Sequence, residues 1–498
     1  MFSRVYSAQV NVLDGELITI ETDISKGLHN FSVVGLPDKA VEEARDRVGS
    51  AIKNSGLKSP KQSNQKIVVS LSPANVKKEG SYFDLAIALG YLLSNEEIKF
   101  NPEKKAFVGE LSLNGELKPV KGILALIKNL KKLGFEEVFV PDQNKEEAAL
   151  IEGVTIFPAK NLLEVINHLK EEEKFSLSPQ PITEITYGEA KALNDFSDIK
   201  GQDVAKRGLI IAAAGGHNIA MYGPPGTGKT MLARAFSGIL PPLSKEDILE
   251  ITGIHSVAGI LKGALVTDSP FRSPHNTSSY VSVIGGGTFP KPGEVTLAHK
   301  GVLFLDEFPE FDRRVIESLR QPLEDRVVHI SRSKGTAVFP TNFILIAAMN
   351  PPPDDATASD IVRFKKKISG PIMDRIDMWV DVPKIDYNLL GSKEKTKDTS
   401  EEVRKIVIKA RDRQLERLAG SKAKTNSEMS VRDLDKTIKL SDQVKEILNM
   451  SAERLSLSAR AYHRIIKLAR TIADLDDKEH IETNHIIEAL QYRPKQEY

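Results

Sequence analysis

Two short motifs constrain this chain most. Residues 223–230 read GPPGTGKT and residues 302–307 read VLFLDE. The first fits G-x-x-x-x-G-K-[ST], with Gly223, Gly228, Lys229 and Thr230 at the fixed places and Pro224, Pro225, Gly226 and Thr227 between them. The apolar run Ile219, Ala220, Met221 before it reads as a buried strand, and Met231, Leu232, Ala233, Ala235 and Phe236 after it read as a helix. Such a strand–loop–helix aims backbone N–H groups at phosphate from a helix N-terminus, and Lys229 adds a full positive charge. The Thr230 hydroxyl can sit on Mg²⁺. The second motif is an apolar strand, Val302 to Leu305, that ends in two carboxylates. Asp306 can hold the Mg²⁺ shell, and Glu307 can orient and deprotonate a water. A glycine-rich loop alone could be a tight turn. With Lys-Thr inside it and a strand-Asp-Glu downstream, the pair points to binding and hydrolysis of a nucleoside triphosphate.

The rest of the composition narrows the setting. A chain of 498 residues with 40% hydrophobic and 28% charged residues has room for about three domains and ample core. The formal net charge is +1, so a nucleic-acid partner must be read from local patches. There is no cysteine, which excludes disulfides, thiolate metal sites and a cysteine nucleophile. No stretch has the pattern of a secretory leader and no apolar run approaches the ~18 residues of a membrane span, so the expected place is the cytoplasm, away from membranes.

The chain divides into segments by pattern. Residues 1–172 mix strand alternation (Val10–Val12, Leu17–Ile20, 66–71) with helical periodicity (Asp38–Ser55, Phe83–Leu93), which predicts a compact α+β domain. Residues 173–195 are polar with few large apolar side chains and read as a linker. Residues 196–383 alternate strands and helices around the two motifs, which predicts an α/β parallel sheet. Residues 384–498 read as a mainly helical lid or C-terminal domain, with a helix over Glu401–Leu418. The charge runs at 365–367 and 393–398 read as solvated surface. The strand 342–348 (NFILIAA) runs into Met349 and Asn350. An asparagine there can position the attacking water or can be an ordinary strand end, and spacing alone leaves both open.

At this point the residues resemble a family. GPPGTGKT, the segments 285–311 and 330–351, SGPIMDRID at 369–377 and SARAYHRIIKLARTIADL at 458–475 occur in the order seen in ComM/YifB-type, magnesium-chelatase-like AAA+ ATPases, and the resemblance covers most of the chain. It implies a ring, a hexamer, with ATP at subunit interfaces. Carried over by position, Lys229 and Thr230 resemble the phosphate and Mg²⁺ ligands, and Asp306 and Glu307 the Mg²⁺ and water-activating carboxylates. Asn350 falls at the sensor-1 position. Arg375 falls where the family places an arginine finger that acts in trans; by itself it could equally pair with Asp374 or Asp377. Arg460 falls at the sensor-2 position of the lid, where a plain surface arginine is the alternative. Gln202 lies where the family's adenine pocket begins.

Two segments read as insertions. GGGTFPKPGE at 285–294 is too rich in glycine and proline for a helix and reads as a loop or hairpin. Val327–Ile330 and Thr336–Phe339 read as a second hairpin with Arg332 and Lys334 near its tip. The resemblance implies that both face the pore, where repeated positive charges suit a DNA backbone, single-stranded or branched; a solvated turn is the alternative for Arg332 and Lys334.

Residues 77–93 and 108–144 resemble the proteolytic domain of Lon-type proteases, of the ribosomal S5 domain 2-like fold. That domain uses a Ser–Lys dyad. Here the serine position holds Tyr82, with Ser81 next to it, and the lysine position holds Leu124, so no base would activate a hydroxyl. Many relatives carry a cysteine-rich, zinc-like segment after the sensor asparagine. Here residues 351–360 have none, and no zinc is expected.

The resemblance therefore implies an ATP-driven hexameric DNA helicase that promotes branch migration during natural transformation and homologous recombination. The rivals are a chelatase-type motor subunit, a Lon-type protease, which Tyr82 and Leu124 oppose, and a nucleotide-gated scaffold that does not translocate.

Overall fold

The structure, a computed structural model, describes residues 1–170, 176–186, 194–287, 290–332, 335–352, 356–357, 359, 367–384 and 399–494, with only the backbone of Arg332 and Gly335. The chain forms two compact units: Met1–Thr186 with Lys245–Val266, and Tyr187–Ser244 with Thr267–Tyr498. The chain therefore passes from one unit to the other three times, because a segment between the two motifs belongs with the N-terminal residues.

The first unit is built on a seven-stranded mixed sheet in the order Asn30–Val34, Gln65–Ser72, Asp14–Lys26, Phe2–Asn11, Lys105–Phe107, Glu137–Pro141 and Thr155–Ala159. Its long hairpin pairs Phe2 with Asp23 through Asn11 with Asp14. The turn falls at Val12, whose φ of 61° takes it out of the strand expected over Val10–Val12. Helices Lys39–Asn54 and Asp84–Ser94 bury Val48, Ile52, Ile87 and Leu89 against one set of strand residues (Val5, Ile18, Ile20, Ile67). The second helix is apolar all round and is buried accordingly. Its one charge, Asp84, is met by Arg47 at 2.7 Å. A second core joins Ala8, Ala106 and Val138 to Ile123, Leu126 and Ile127 of helix Ile123–Lys132.

Helix Lys245–Ala258 packs on Ile123–Lys132 and turns Ile248, Ile251 and Ile254 inward. Its C-terminal end is tied by polar groups. Ser256 Oγ accepts from the Gly122 amide (2.8 Å) and donates to Glu147 Oε1 (2.5 Å), which also accepts from the Leu124 amide (3.1 Å). Burial pushes the Glu147 carboxyl up, against the pull of those two donors.

The second unit holds five parallel strands in the order Phe271–Arg272, Val302–Leu305, Ile344–Met349, Ile219–Tyr222 and Met378–Asp381. The three central strands are short apolar runs buried on both faces, as a helix-covered parallel sheet requires. The strands of the two motifs are not neighbours; Ile344–Met349 lies between them. Among the described residues, the helices that follow are Ser400–Arg417, Val431–Thr437, Asp442–Arg454, Ala459–Leu475 and Thr483–Gln491. The first starts at a capping box, Thr399 with Glu402, a feature worth about 1 kcal/mol. Ile219 and Met221 of the sheet and Phe236 of helix Lys229–Ile239 share one continuous core with Val407, Leu468, Ile472 and Ile486 of these helices.

Candidate functional site

In a parallel sheet every strand ends at the same edge, so loops after the strands converge there. That edge of the second unit carries the residues 223–230, Asp306, Glu307 and Asn350. The loop leaves strand Ile219–Tyr222 at Gly223, where a Cβ would come within 2.1 Å of the Val382 carbonyl oxygen, so only glycine fits. Gly228, at φ 90°, caps helix Lys229–Ile239 in a conformation that glycine adopts freely. Pro225 and Gly226 are exposed at the crest, and Thr227 Oγ1 donates back to the Pro224 carbonyl at 3.0 Å. Lys229 is buried, and its Nζ donates to the Gly223 and Pro224 carbonyls at 2.7 and 2.8 Å. Burial lowers the ammonium's pKa, and the Asp306 carboxylate opposes that.

Thr230 Oγ1 donates to Asp306 Oδ2 at 2.9 Å. A hydroxyl and a carboxylate oxygen so close, beside a phosphate-type loop, form the oxygen donor set that fits Mg²⁺. Glu307 follows at φ 49°, a left-handed conformation that a side chain adopts under constraint, and its carboxylate stands exposed at the edge. It is not free: Asn276 Nδ2 donates to Glu307 Oε2 at 2.8 Å. Asn276 follows strand Phe271–Arg272, the neighbour of Val302–Leu305. Sequence reasoning missed it, because RSPHN reads only as a turn and the contact spans 31 positions. Asn350 leaves strand Ile344–Met349 between the two motif strands, and the Gly223 amide donates to the Met349 carbonyl at 3.2 Å. Gln202 joins this edge: its Nε2 donates to the Pro383 carbonyl at 2.7 Å and reaches the Thr227 carbonyl at 3.4 Å.

Arg375 and Arg460 lie elsewhere. Arg375 precedes strand Met378–Asp381, at the edge where the strands begin. Its carbonyl accepts from Asn218 Nδ2 at 3.3 Å, and Asn218 stands just before Ile219. At about 3.3 Å per strand residue, Asn218 and Gly223 are roughly 16 Å apart. Asn218 knits this edge together. Its amide donates to Asp377 (2.9 Å), and its Oδ1 accepts from the Leu345 amide (2.9 Å). Burial alone would raise the Asp377 carboxyl, but the His217 ring and the Arg464 guanidinium bring it down to about 2. The ion-pair alternatives for Arg375 are not what forms: Asp377 faces Arg464 at 3.4 Å, and Arg375 pairs with Glu324. Arg460, on helix Ala459–Leu475, donates to the same Glu324 at 3.1 Å. Arg464 and Lys467 of that helix line the same cavity, about 340 Å³ in volume.

The insertions form as hairpins. Gly285–Gly286 pairs with Lys291–Pro292, and Val327–Arg332 with Gly335–Pro340. Lys334 and the side chain of Arg332 lie outside the described residues, as do 353–355 of the proline segment and the charge runs at 365–366 and 393–398. In the first unit Leu124 is buried and Tyr82 half-buried, its hydroxyl pushed up to about 12 by burial. Among the described residues no helix is long and apolar enough to cross a membrane.

Residues 195–390 match the protein-family profile "Magnesium chelatase, subunit ChlI", residues 20–144 match "Subunit ChlI of Mg-chelatase", and residues 397–493 match "Magnesium chelatase, subunit ChlI C-terminal". The chain is 41% identical over 500 residues to competence protein ComM of Haemophilus influenzae, across 98% of this chain and 97% of that protein. It is 40% identical to YifB of Escherichia coli, across 96% and 94%. A 198-residue stretch, 37% of this chain and 22% of the other, is 25% identical to the DNA replication licensing factor Mcm6 of Drosophila melanogaster.

Proposed function

Because the chain belongs to the ComM/YifB family of magnesium-chelatase-like AAA+ ATPases, we propose that it is an ATP-driven motor that works as a ring and moves along DNA, promoting branch migration in natural transformation or recombination. One observation carries the ring. Residues 223–230, Asp306 and Glu307 lie at the edge where the strands end, while Arg375 and Arg460 belong to the opposite edge. Arg375 stands beside Asn218, a strand's length from Gly223, and Arg460 shares Glu324 with it, which supports a role away from their own chain's loop. They would serve a nucleotide held by the next subunit, in a ring whose expected size is a hexamer.

In that reading the residues 223–230 hold the triphosphate through backbone amides and Lys229, which exchanges its two loop carbonyls for phosphate oxygens. Gln202 borders the base. Thr230 and Asp306 would hold Mg²⁺, which when bound neutralises phosphate charge. Glu307 takes the proton of the attacking water, and Asn350 orients that water. Arg375 and Arg460 of the adjoining subunit stabilise the charge that develops on the terminal phosphate. The hairpin of Val327–Arg332 and Gly335–Pro340, with Arg332 and Lys334, would carry the DNA contact. The first unit is read as Lon-protease-like without protease chemistry: Leu124 offers no base, and ring assembly or docking is its proposed work.

DNA as the substrate is supported by the names of two relatives, a competence protein and a replication licensing factor. The chelatase-motor alternative is supported by the names of the matched profiles. ATP turnover with and without single-stranded and forked DNA, beside a branch-migration assay, separates them. DNA should stimulate turnover and strands should move. A rate indifferent to DNA with no strand movement would discard the DNA motor and favour the chelatase or scaffold alternative.

A further inference from the structure

Among the described residues, Glu324 is the carboxylate on which Arg375 and Arg460 converge, each on a different oxygen: Arg375 with Oε2 and Arg460 with Oε1. It stands on the short helix Arg320–Asp325, the two arginines come from segments 85 positions apart, and Arg464 and Lys467 line the same cavity. Bringing those cations together costs repulsion, which Asp377 offsets at Arg464 and Glu324 offsets at the two arginines. Burial alone would raise Glu324, but its two arginines outweigh that and hold its carboxyl below the usual range. The Arg375 Nε is buried with no acceptor, so the guanidinium still has a donor to give. Two guanidiniums on the two oxygens of one anion is also the arrangement that a terminal phosphate accepts.

We propose that Glu324 is a positioning residue that stands in for the neighbour's terminal phosphate: it keeps Arg375 and Arg460 paired in a free subunit and gives them up when the next subunit presents its nucleotide. The inference rests on the trans reading of the two arginines. Glu324 then competes with assembly, since carboxylate and phosphate seek the same N–H groups. Glu324 is exposed, so the competition is modest and its removal leaves the core intact.

The test is ATP turnover per subunit against concentration of the full-length chain at saturating ATP. For Glu324→Gln the half-maximal concentration should fall about three- to ten-fold, the range for two ion pairs on an exposed carboxylate, with the saturating rate unchanged. Glu324→Asp, which keeps the charge, should follow the wild type. Measured against Arg460→Ala alone, Glu324→Gln should shift the half-maximal concentration less than it does in the wild type, a coupling that a purely structural Glu324 would not show. A half-maximal concentration for Glu324→Gln equal to or above the wild type, or a reduced saturating rate, overturns the inference. If instead Arg375→Ala turns over at the wild-type rate at every concentration, the trans reading itself has failed.

Discussion

At the scale of single residues, the carboxylate of Glu307 matters most, because it is both strained and held. Its left-handed backbone persists only if the surrounding structure dictates it, and such outliers concentrate where chemistry is done. Glu307→Gln should keep nucleotide binding and lose turnover by about 10²–10⁴-fold, measured as ATPase rate beside equilibrium binding. The Asn276 amide occupies an oxygen of that carboxylate and keeps a water from taking that place while the contact lasts. Asn276→Ala should therefore raise the DNA-independent rate and lower the ratio of DNA-stimulated to basal turnover. An unchanged ratio would make the contact incidental. The strand, loop and helix around residues 223–230 and the strand that ends at Asp306 were legible in the sequence because each lies in contiguous residues with fixed spacing. Asn276, Asn218 and Glu324 were not, since each acts through a partner that only the fold brings near. The ion-pair partner of Arg375 shows this well: proximity in sequence favoured Asp374 or Asp377, yet Glu324, 51 positions away, is the partner.

Among the elements, helix Lys245–Ala258 is where sequence order and spatial order part. Its isoleucines are buried in the first unit although its neighbours in sequence build the second. Pattern could show a helix there but not which core it fills, because burial of an apolar face is indifferent to chain order. Ser256→Ala would leave Glu147 with only the Leu124 amide and should cost about 1–3 kcal/mol, read as a lower unfolding midpoint of the full chain. The hairpin of Val327–Arg332 and Gly335–Pro340 was readable from alternation, and its register is as regular as that pattern implies. The proposed DNA contact of Arg332 and Lys334 rests on charge. Replacing Arg332 and Lys334 together by alanine should weaken DNA binding and flatten its dependence on salt, by about one unit of slope per lost phosphate contact. An unchanged slope removes them from the DNA path.

For the whole molecule, the proposal that Arg375 serves the next subunit's nucleotide predicts complementation. Arg375→Ala and Lys229→Ala should each be inactive alone. Mixed, they should recover part of the wild-type turnover, because some interfaces then join an intact Lys229 to an intact Arg375. No recovery at any mixing ratio would place both residues in one subunit's site. The fold class of the second unit was visible from two motif strands, but the split between edges needed the strand order, in particular the placement of Ile344–Met349 between them. The interleaving of the two units bears on how the protein can be taken apart. A fragment ending near residue 186 would lack the helix that covers Ile123–Lys132, and a fragment starting there would carry Ile248, Ile251 and Ile254 with nothing to bury them. Neither half is a free-standing module. Each should be insoluble or sticky when expressed alone, and the two should recover their solubility when produced together in one cell.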